Sequence, residues 1–212
     1  MENIYSILGH NGVGKTTLIN ILTGLIPPTK GKFFCKGLIH LASNLWFIDH
    51  GKEGTKNSVA ESIGFCAQYD YALTENTVYE NLKFFAEIRG IHKDSMDEQI
   101  LRVMERLKLT TSKDLIVSKL NGGSRRKLSV AIALLNDPKI IIMDEPTSGS
   151  EIILFIWTKI KGMDPMSRRE VWQIIKDLKE DKRTVVFTTQ FMDEAEELSD
   201  RIAVLSKGRF WC

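Results

Sequence analysis

A glycine-rich segment near the amino terminus constrains the fold of this chain more than any other feature. It fits the pattern G-x-x-x-x-G-K-[ST] and consists of Gly9, His10, Asn11, Gly12, Val13, Gly14, Lys15, Thr16 and Thr17. Glycines let consecutive backbone N–H groups turn towards an anion, because no Cβ blocks its approach. An apolar run of strand type precedes the segment at residues 3–8, and a helical stretch follows at 17–24. This context predicts a strand–loop–helix unit that binds nucleoside triphosphate phosphates.

Two side chains of the segment have predicted roles of their own. Lys15 places a flexible charge on the β- and γ-phosphates, and Thr16 offers its hydroxyl to Mg²⁺. We therefore predict ATP or a similar nucleotide as the ligand, together with Mg²⁺. A chance glycine turn between a strand and a helix is the alternative, and the match at every fixed position and on both flanks argues against it.

The composition limits the class of protein. The 212 residues are enough for one domain with a packed core. A net charge of +2, with 26% charged residues, favours neither a nucleic-acid partner nor an acidic one. No apolar run approaches the roughly twenty residues that span a bilayer, and no signal peptide is recognisable. We predict no transmembrane segment in this chain, so any work at a membrane needs docking onto a protein that spans it.

The order of strand and helix patterns predicts an α/β domain with a largely parallel sheet. Buried strands are predicted at residues 140–143, 184–188 and 201–205, and helices at 77–89, 95–107, 125–135, 167–178 and 192–198. The helices between about 75 and 135 indicate a helical subdomain inserted between the two halves of a nucleotide-binding core.

Adjacent carboxylates end one of these predicted strands. Asp144 and Glu145 follow the apolar residues 140–143 directly. Solvated strand ends often carry such residues, but beside a phosphate loop the pair is typical of a nucleoside-triphosphatase site. Asp144 would then bind Mg²⁺, and Glu145 would polarise the attacking water as a general base. Gln68 ends a short strand at 63–67, where its amide can reach both the Mg²⁺ and the water.

A second glycine pair lies at the entrance of a predicted helix. Asn121, Gly122 and Gly123 precede the helical pattern that begins at residue 125. Such a sequence can build an anion-binding helix amino terminus, although taken alone it is more typical of an ordinary helix cap.

The order of these four elements resembles the nucleotide-binding domain of ATP-binding cassette transporters over nearly the whole chain. The local sequence is most similar to the A subfamily, whose members mostly move lipids. The runs that carry the resemblance are GHNGVGKTTLINILTGLIPPTKG, GFCAQYD, RRKLSVAIALLNDPKIIIMDEPTSG, MDPMSRREVW and FMDEAEELSDRIAVLSKG. The resemblance implies a P-loop core with a mostly parallel sheet flanked by helices and an inserted helical subdomain.

The resemblance also implies partners and shared sites. In the family, two such domains sandwich two ATP molecules, each between the phosphate loop of one domain and the glycine signature of the other. Asn121, Gly122 and Gly123 would accordingly contact ATP held by a second nucleotide-binding domain. Gln68 and the nearby surface would sense the transmembrane domains, which places the chain at the cytoplasmic face of a membrane. Mg²⁺ would be held by Thr16, Gln68 and Asp144.

Two substitutions separate this chain from the family pattern. The signature serine is Asn121 here, and the switch histidine after the strand at 184–188 is Gln190. Gln190 can donate a hydrogen bond to the γ-phosphate, but it cannot become cationic or carry a proton. Losing a charge-assisted contact in the transition state costs roughly 2–4 kcal/mol, or about 10²–10³-fold in rate. With Glu145 and Gln190 as catalytic residues, we predict ATP binding and slow hydrolysis.

Two stretches do not fit the family pattern. Residues 150–162 separate Gly149 from Met163, which are adjacent in the family, and residues 35–50 hold a similar surplus. Both are expected to be atypical insertions, and intron read-through explains them better than adaptation. The chain is also expected to be truncated at its amino terminus, without the upstream aromatic residue that stacks on adenine in the family.

Three other functions stay open at the level of sequence. One is a regulatory cassette that binds ATP without turnover, which Asn121, Gln190 and the insertion support. Another is a soluble cassette acting on DNA or ribosomes, but the absence of a basic stripe and of long heptads argues against it and against a nucleic-acid partner. The last is a gene fragment that does not fold.

Overall fold

A six-stranded sheet forms the centre of the protein. The computed structural model describes residues 3–30, 32–35, 39–42, 45–47, 63–148 and 165–211. The central strands are β1 (Ile4–Leu8), β5 (Ile63–Cys66), β6 (Ile140–Met143), β7 (Thr184–Thr189), β8 (Arg201–Ser206) and β9 (Arg209–Trp211), in the order β5-β6-β7-β1-β8-β9. All neighbours pair in parallel except β8 and β9. A separate antiparallel sheet contains β2 (Lys32–Cys35), β3 (Ile39–Ala42) and β4 (Leu45–Phe47).

Helices connect the parallel strands. They are α1 (Lys15–Leu22), α2 (Val78–Ile88), α3 (Lys93–Arg106), α4 (Gly122–Leu134), α5 (Pro165–Glu180) and α6 (Met192–Leu198), with short 3₁₀ turns at Thr110–Ser112 and Val117–Lys119. A capping box starts α2, because Thr77 accepts from the backbone of Glu80 while the Glu80 carboxylate accepts from the backbone of Thr77. None of the helices within the described ranges is both long and apolar enough to cross a bilayer.

The predicted fold class is confirmed: the sheet is mostly parallel and its strands alternate with helices. The predicted strands at 140–143, 184–188 and 201–205 coincide with β6, β7 and β8 to within one residue. The predicted helices at 77–89 and 95–107 coincide with α2 and α3 to within two residues, and Gly90, whose φ is 71°, lies in the turn between them. Of the two expected insertions, residues 150–162 lie outside the described residues, and 35–50 are described only where β2, β3 and β4 form.

The core lies between the sheet and its helices. Ile141, Val185 and Phe187 on the central strands are fully buried, as expected for a parallel sheet covered on both faces. Helix α4 packs closely against β5, where a Cβ added to Gly64 would lie 2.2 Å from the Ala133 carbonyl oxygen. Glycine at position 64 is therefore needed for this helix to approach the sheet.

The topology brings several loops to one edge. Because β1, β6 and β7 are parallel neighbours in the sheet, their carboxyl ends point the same way. The phosphate loop follows β1, the paired carboxylates follow β6, and Gln190 follows β7. Ligands of open α/β sheets bind at this edge.

Candidate nucleotide site

The phosphate loop owes its shape to three glycines with two different requirements. Gly12 and Gly14 have φ values of 82° and 105°, and a Cβ added to either would meet no atom within 4 Å. Glycine is required at these two positions because their φ angles are positive, and not because a side chain would be crowded. Gly9 is restricted by packing, because a Cβ there would lie 2.6 Å from the Leu205 carbonyl oxygen on β8. Gly14 then caps α1, so the helix begins at the loop.

Lys15 is held inside the loop. Its Nζ donates to the carbonyl oxygens of Gly9 and His10 at 2.8 and 3.1 Å. The same Nζ lies 3.1 Å from Oε1 of Glu145, and both side chains are more than nine-tenths buried. The structure thus joins the cation predicted to bind phosphate to the carboxylate predicted to act as a base.

Glu145 is positioned by a strained backbone and a network of donors. Its φ of 44° lies in the left-handed region, which is unusual for a non-glycine residue and often found at functional sites. Oε2 accepts from Nε2 of Gln68 at 3.3 Å, so both carboxylate oxygens have partners. Gln68, Glu145 and Lys15, which the sequence places far apart, form one contiguous cluster.

Asp144 lies beside this cluster and is 2% exposed. Its Oδ1 accepts from Oγ1 of Thr188 at 2.6 Å, and the same hydroxyl oxygen accepts from the backbone N–H of Glu145 at 2.9 Å. Thr188 on β7 therefore fixes both carboxylate residues at the end of β6. No sequence motif gave Thr188 a role, although its place one residue inside the end of a buried strand is a signal that could have indicated one.

Arg126 on α4 is a second residue that no sequence motif indicated. It is 2% exposed and donates to the carbonyl oxygens of Ala67 (2.6 Å), Gln68 (3.4 Å), Asp144 (3.1 Å), Glu145 (3.3 Å) and Pro146 (2.8 Å). One guanidinium thus connects the chain after β5 with the chain after β6. The sequence does contain one signal for its burial: Arg126 lies four residues before Val130, so both side chains are on the same, buried face of the helix.

Gln190 extends from the end of β7 and is partly exposed. Thr189, the residue before it, accepts at its carbonyl oxygen from the backbone N–H of Gly9 at 3.1 Å. The predicted switch position is therefore tied to the first residue of the phosphate loop. The side chain of Gln190 makes no hydrogen bond to any described residue.

The second glycine pair is built differently. Oδ1 of Asn121 accepts from the backbone N–H of Ser124 at 2.7 Å, so Asn121 is the amino-terminal cap of α4. A Cβ added to Gly123 would lie 2.4 Å from Oγ of Ser167, so close packing of α5 on α4 requires this glycine. Among the described residues, no hydrogen bond or ion pair joins Asn121, Gly122 or Gly123 to the phosphate loop.

The donor set suits Mg²⁺ bound together with a nucleotide. Thr16 is exposed at the start of α1, and Asp144 and Gln68 offer oxygens at the neighbouring strand ends. Within the described ranges, no three His, Cys, Asp or Glu side chains are grouped to hold a metal ion. Hydroxyl, amide and carboxylate oxygens are the hard ligands that Mg²⁺ prefers, and phosphate oxygens and water would complete its shell.

A cavity of about 240 Å³ lies elsewhere, lined by residues that include Arg102, Arg106, Asp137 and Arg183. Asp137 and Arg183 precede β6 and β7, so this cavity is at the amino-terminal edge of the sheet. It is not part of the nucleotide site.

The loop, the buried lysine and the paired carboxylates at the carboxyl edge of a parallel sheet define a P-loop nucleotide-binding domain. A protein-family model described as ABC transporter matches residues 1–148. The chain belongs to the ABC transporter family.

Relatives and solved structures agree with this assignment. The chain is 38% identical over 209 residues to ATP-binding cassette sub-family A member 10 of Homo sapiens, covering 99% of this chain and 12% of that relative. It is 39% identical over 208 residues to the phospholipid-transporting ATPase ABCA3 of Mus musculus, covering 97% and 11%. It therefore spans about a tenth of the length of these curated relatives.

The fold is that of solved ATP-binding cassettes. A dimeric post-hydrolysis structure of the cassette MJ0796, bound to ADP and Pi, has a TM-score of 0.76 at 24% identity, covering 99% of this chain and 84% of that chain. The cbiO1 protein of Clostridium perfringens, part of the ABC transporter complex cbiONQ, has a TM-score of 0.75 at 24% identity, covering 99% and 76%.

Proposed function

We propose that this chain binds MgATP at the phosphate loop and hydrolyses it slowly, as one half of a nucleotide sandwich that drives a membrane transporter. The observation that carries the proposal is the buried contact of Lys15 with Glu145, 3.1 Å apart, at the end of the phosphate loop. A buried lysine and a buried carboxylate are costly to maintain, and their place at a phosphate loop gives both a use in phosphoryl transfer.

Binding of ATP redistributes the partners of Lys15. The γ-phosphate offers more negative charge than Glu145, and the lysine is already oriented by the carbonyl oxygens of Gly9 and His10. Backbone N–H groups that follow Gly9 in the phosphate loop would cradle the β-phosphate at the start of α1, since the N–H of Gly9 itself bonds to Thr189. Thr16, Asp144 and Gln68 would hold Mg²⁺, which when bound neutralises charge on the phosphate oxygens.

Hydrolysis depends on releasing Glu145 from Lys15. Once Lys15 contacts phosphate, the Glu145 carboxylate can accept a proton from the attacking water. Gln68 orients both the carboxylate and the water. Gln190 donates its amide to the γ-phosphate but adds no positive charge, so the transition state is stabilised less than by an imidazolium. Slow turnover is the consequence of this residue.

The partners are a second nucleotide-binding domain and the transmembrane domains of the transporter. No hydrogen bond or ion pair among the described residues joins Asn121, Gly122 or Gly123 to the phosphate loop of their own chain, which supports a role on ATP held by the other domain. Nδ2 of Asn121 remains a donor for phosphate because its Oδ1 caps α4. We propose lipid as the transported class, because one relative is a phospholipid-transporting ATPase. The chain then lies at the cytoplasmic face of a membrane.

The domain boundaries are part of this proposal. All 212 residues form one nucleotide-binding domain, with a helical subdomain at about 75–135 that contains α2, α3 and α4. Residues 35–50 and 150–162 are insertions in this arrangement.

A second candidate is a regulatory cassette that binds ATP without turnover, and Gln190 is the observation that favours it. The two functions share the binding site and differ only in phosphate release.

The test is ATP affinity with and without Lys15, measured by isothermal titration calorimetry. We expect Lys15→Ala to weaken ATP binding by about 10²-fold or more, because a buried charge-assisted contact to phosphate is lost. Lys93→Ala, at the exposed start of α3, is the matched control and should bind like the parent chain. Equal affinities in all three proteins would contradict the proposal.

A further inference from the structure

Glu194 on α6 is a fully buried carboxylate that the proposed mechanism does not use. Its Oε1 accepts from the indole Nε1 of Trp172 on α5 at 2.9 Å. Its Oε2 accepts from Oγ1 of Thr189 at the end of β7 at 2.5 Å. Burying a charge is costly, and packing alone is served as well by an apolar side chain of similar volume. The position of this carboxylate therefore points to a further role.

Thr189 bonds to Glu194, to Phe191 and to Gly9, the first residue of the phosphate loop. The threonine hydroxyl has one proton, which it gives to Glu194, so its lone pairs face the backbone N–H of Phe191 at 3.0 Å. The carbonyl oxygen of Thr189 accepts from the backbone N–H of Gly9 at 3.1 Å. Gln190 therefore lies between Thr189, whose carbonyl oxygen is bound by Gly9, and Phe191, whose backbone N–H is bound by the Thr189 hydroxyl.

Arg168 on α5 contacts the two aromatic rings of the same network. Its guanidinium lies 4.8 Å from the ring centroid of Phe191 and 4.9 Å from that of Trp172. It also pairs with Asp193 at 3.1 Å. Cation–π contacts of this kind keep both rings in place, so Phe191 is restrained by its side chain as well as its backbone.

We propose that Glu194 is a positioning residue that acts through the hydroxyl of Thr189 to aim Gln190 at the γ-phosphate. The carboxylate fixes which way the hydroxyl donates, and the hydroxyl then fixes the backbone of Phe191 and with it the direction of Gln190. A charged acceptor also polarises the hydroxyl, which strengthens the bond that it accepts from Phe191. The inference rests on the proposed function, because it requires Gln190 to contact ATP.

The test compares two substitutions of Thr189. Thr189→Val removes the hydroxyl and keeps the shape, whereas Thr189→Ser keeps the hydroxyl and is the matched control. Affinity is measured for a non-hydrolysable ATP analogue and for ADP, with Mg²⁺ present, and the thermal midpoint of each variant reports its folding. We expect Thr189→Val and Glu194→Gln to weaken analogue binding roughly three- to tenfold, the range expected for one hydrogen bond. ADP affinity should stay within about twofold and Thr189→Ser should match the parent chain, because the backbone bond to Gly9 persists.

A double-mutant cycle separates positioning from general structure. In a Gln190→Ala background, Thr189→Val should cause no further loss of analogue affinity, because the residue that it positions is absent. An equal loss in both backgrounds, an equal loss for ADP and analogue, or no loss at all would overturn the inference. If the parent chain binds neither nucleotide, the proposed function fails first; if it binds both equally well, only the positioning of Gln190 on the γ-phosphate fails.

Discussion

At the level of single residues, the main feature of the candidate site is the buried ion pair of Lys15 with Glu145. Each is buried and each contacts the other, so the site holds its binding cation and its candidate base in one pair. In the proposed mechanism, the phosphate competes with Glu145 for Lys15 and so releases the carboxylate.

Arg126 provides the first prediction, which concerns stability. We expect Arg126→Met to lower the free energy of unfolding by about 3–5 kcal/mol, because the Asp70 carboxylate and several buried carbonyl oxygens lose a charged donor. Urea denaturation measures the loss. Arg102→Met is the control, because that side chain is 70% exposed and its ion pair should contribute little. A loss below about 1 kcal/mol for Arg126→Met would contradict the role that we assign to it.

At the level of elements, local sequence patterns were enough to locate those features that are continuous in the chain. The apolar strand β6 and the carboxylates after it form one run, so both were located correctly. Helix α4 begins three residues before its predicted start at 125, because Asn121 caps it ahead of two glycines that disfavour a helix. Gly123 is explained only by the approach of Ser167, a long-range contact that periodicity does not contain.

The start of β1 provides the second prediction, which concerns pH. Oδ2 of Asp200 accepts from the backbone N–H of Ile4 at 2.8 Å, and Lys179 on α5 binds the same carboxylate. The hydrogen bond from Lys179, together with the weaker effect of that from Ile4, lowers the pKa of Asp200. A carboxylate with a lowered pKa stabilises the fold above its unfolded pKa, about 3.9, and loses this contribution as the pH falls through its folded value.

We therefore expect Asp200→Asn to lower the urea midpoint at pH 7 and to make little difference at an acid pH below the lowered pKa of Asp200, where the parent carboxyl is protonated as well. Asp114→Asn is the comparison, because that side chain is exposed and has no hydrogen bond or ion pair within the described ranges. A deficit for Asp200→Asn that is the same at both pH values would show that its charge is not involved.

For the whole molecule, sequence motifs indicated the residues of the candidate site but not the residues that hold them in place. Residues 9–17, Asp144 and Glu145 were recognised because each motif is continuous. Thr188, Arg126 and Glu194 bind groups that are not adjacent to them in the chain, and nothing in their immediate neighbours indicates which groups these will be. The sandwich of two domains that we propose also concerns the whole molecule, and no hydrogen bond or ion pair within the described ranges joins residues 121–123 to the phosphate loop of the same chain.

Dimerisation provides the third prediction. In sedimentation experiments with Mg²⁺ and a non-hydrolysable ATP analogue, we expect part of the protein to be dimeric. Asn121→Asp should prevent this, because aspartate caps α4 equally well but places a negative charge against the partner's phosphates. Asn121→Ser should retain the dimer, since serine is also a good cap and can donate to phosphate. Dimerisation of Asn121→Asp at the parent level would exclude a contact between this residue and the partner's nucleotide.

The most direct measurement of the central claim is phosphate release from MgATP by the parent chain and by Gln190→His. We expect the parent chain to bind ATP and release phosphate slowly, and the variant to release it about 10²–10³-fold faster, because an imidazolium adds charge where the transition state develops it. Gln190→Asn is the control and should not gain rate, since it also carries no charge. An unchanged rate for Gln190→His, with ATP affinity retained, would contradict the claim that this residue limits turnover.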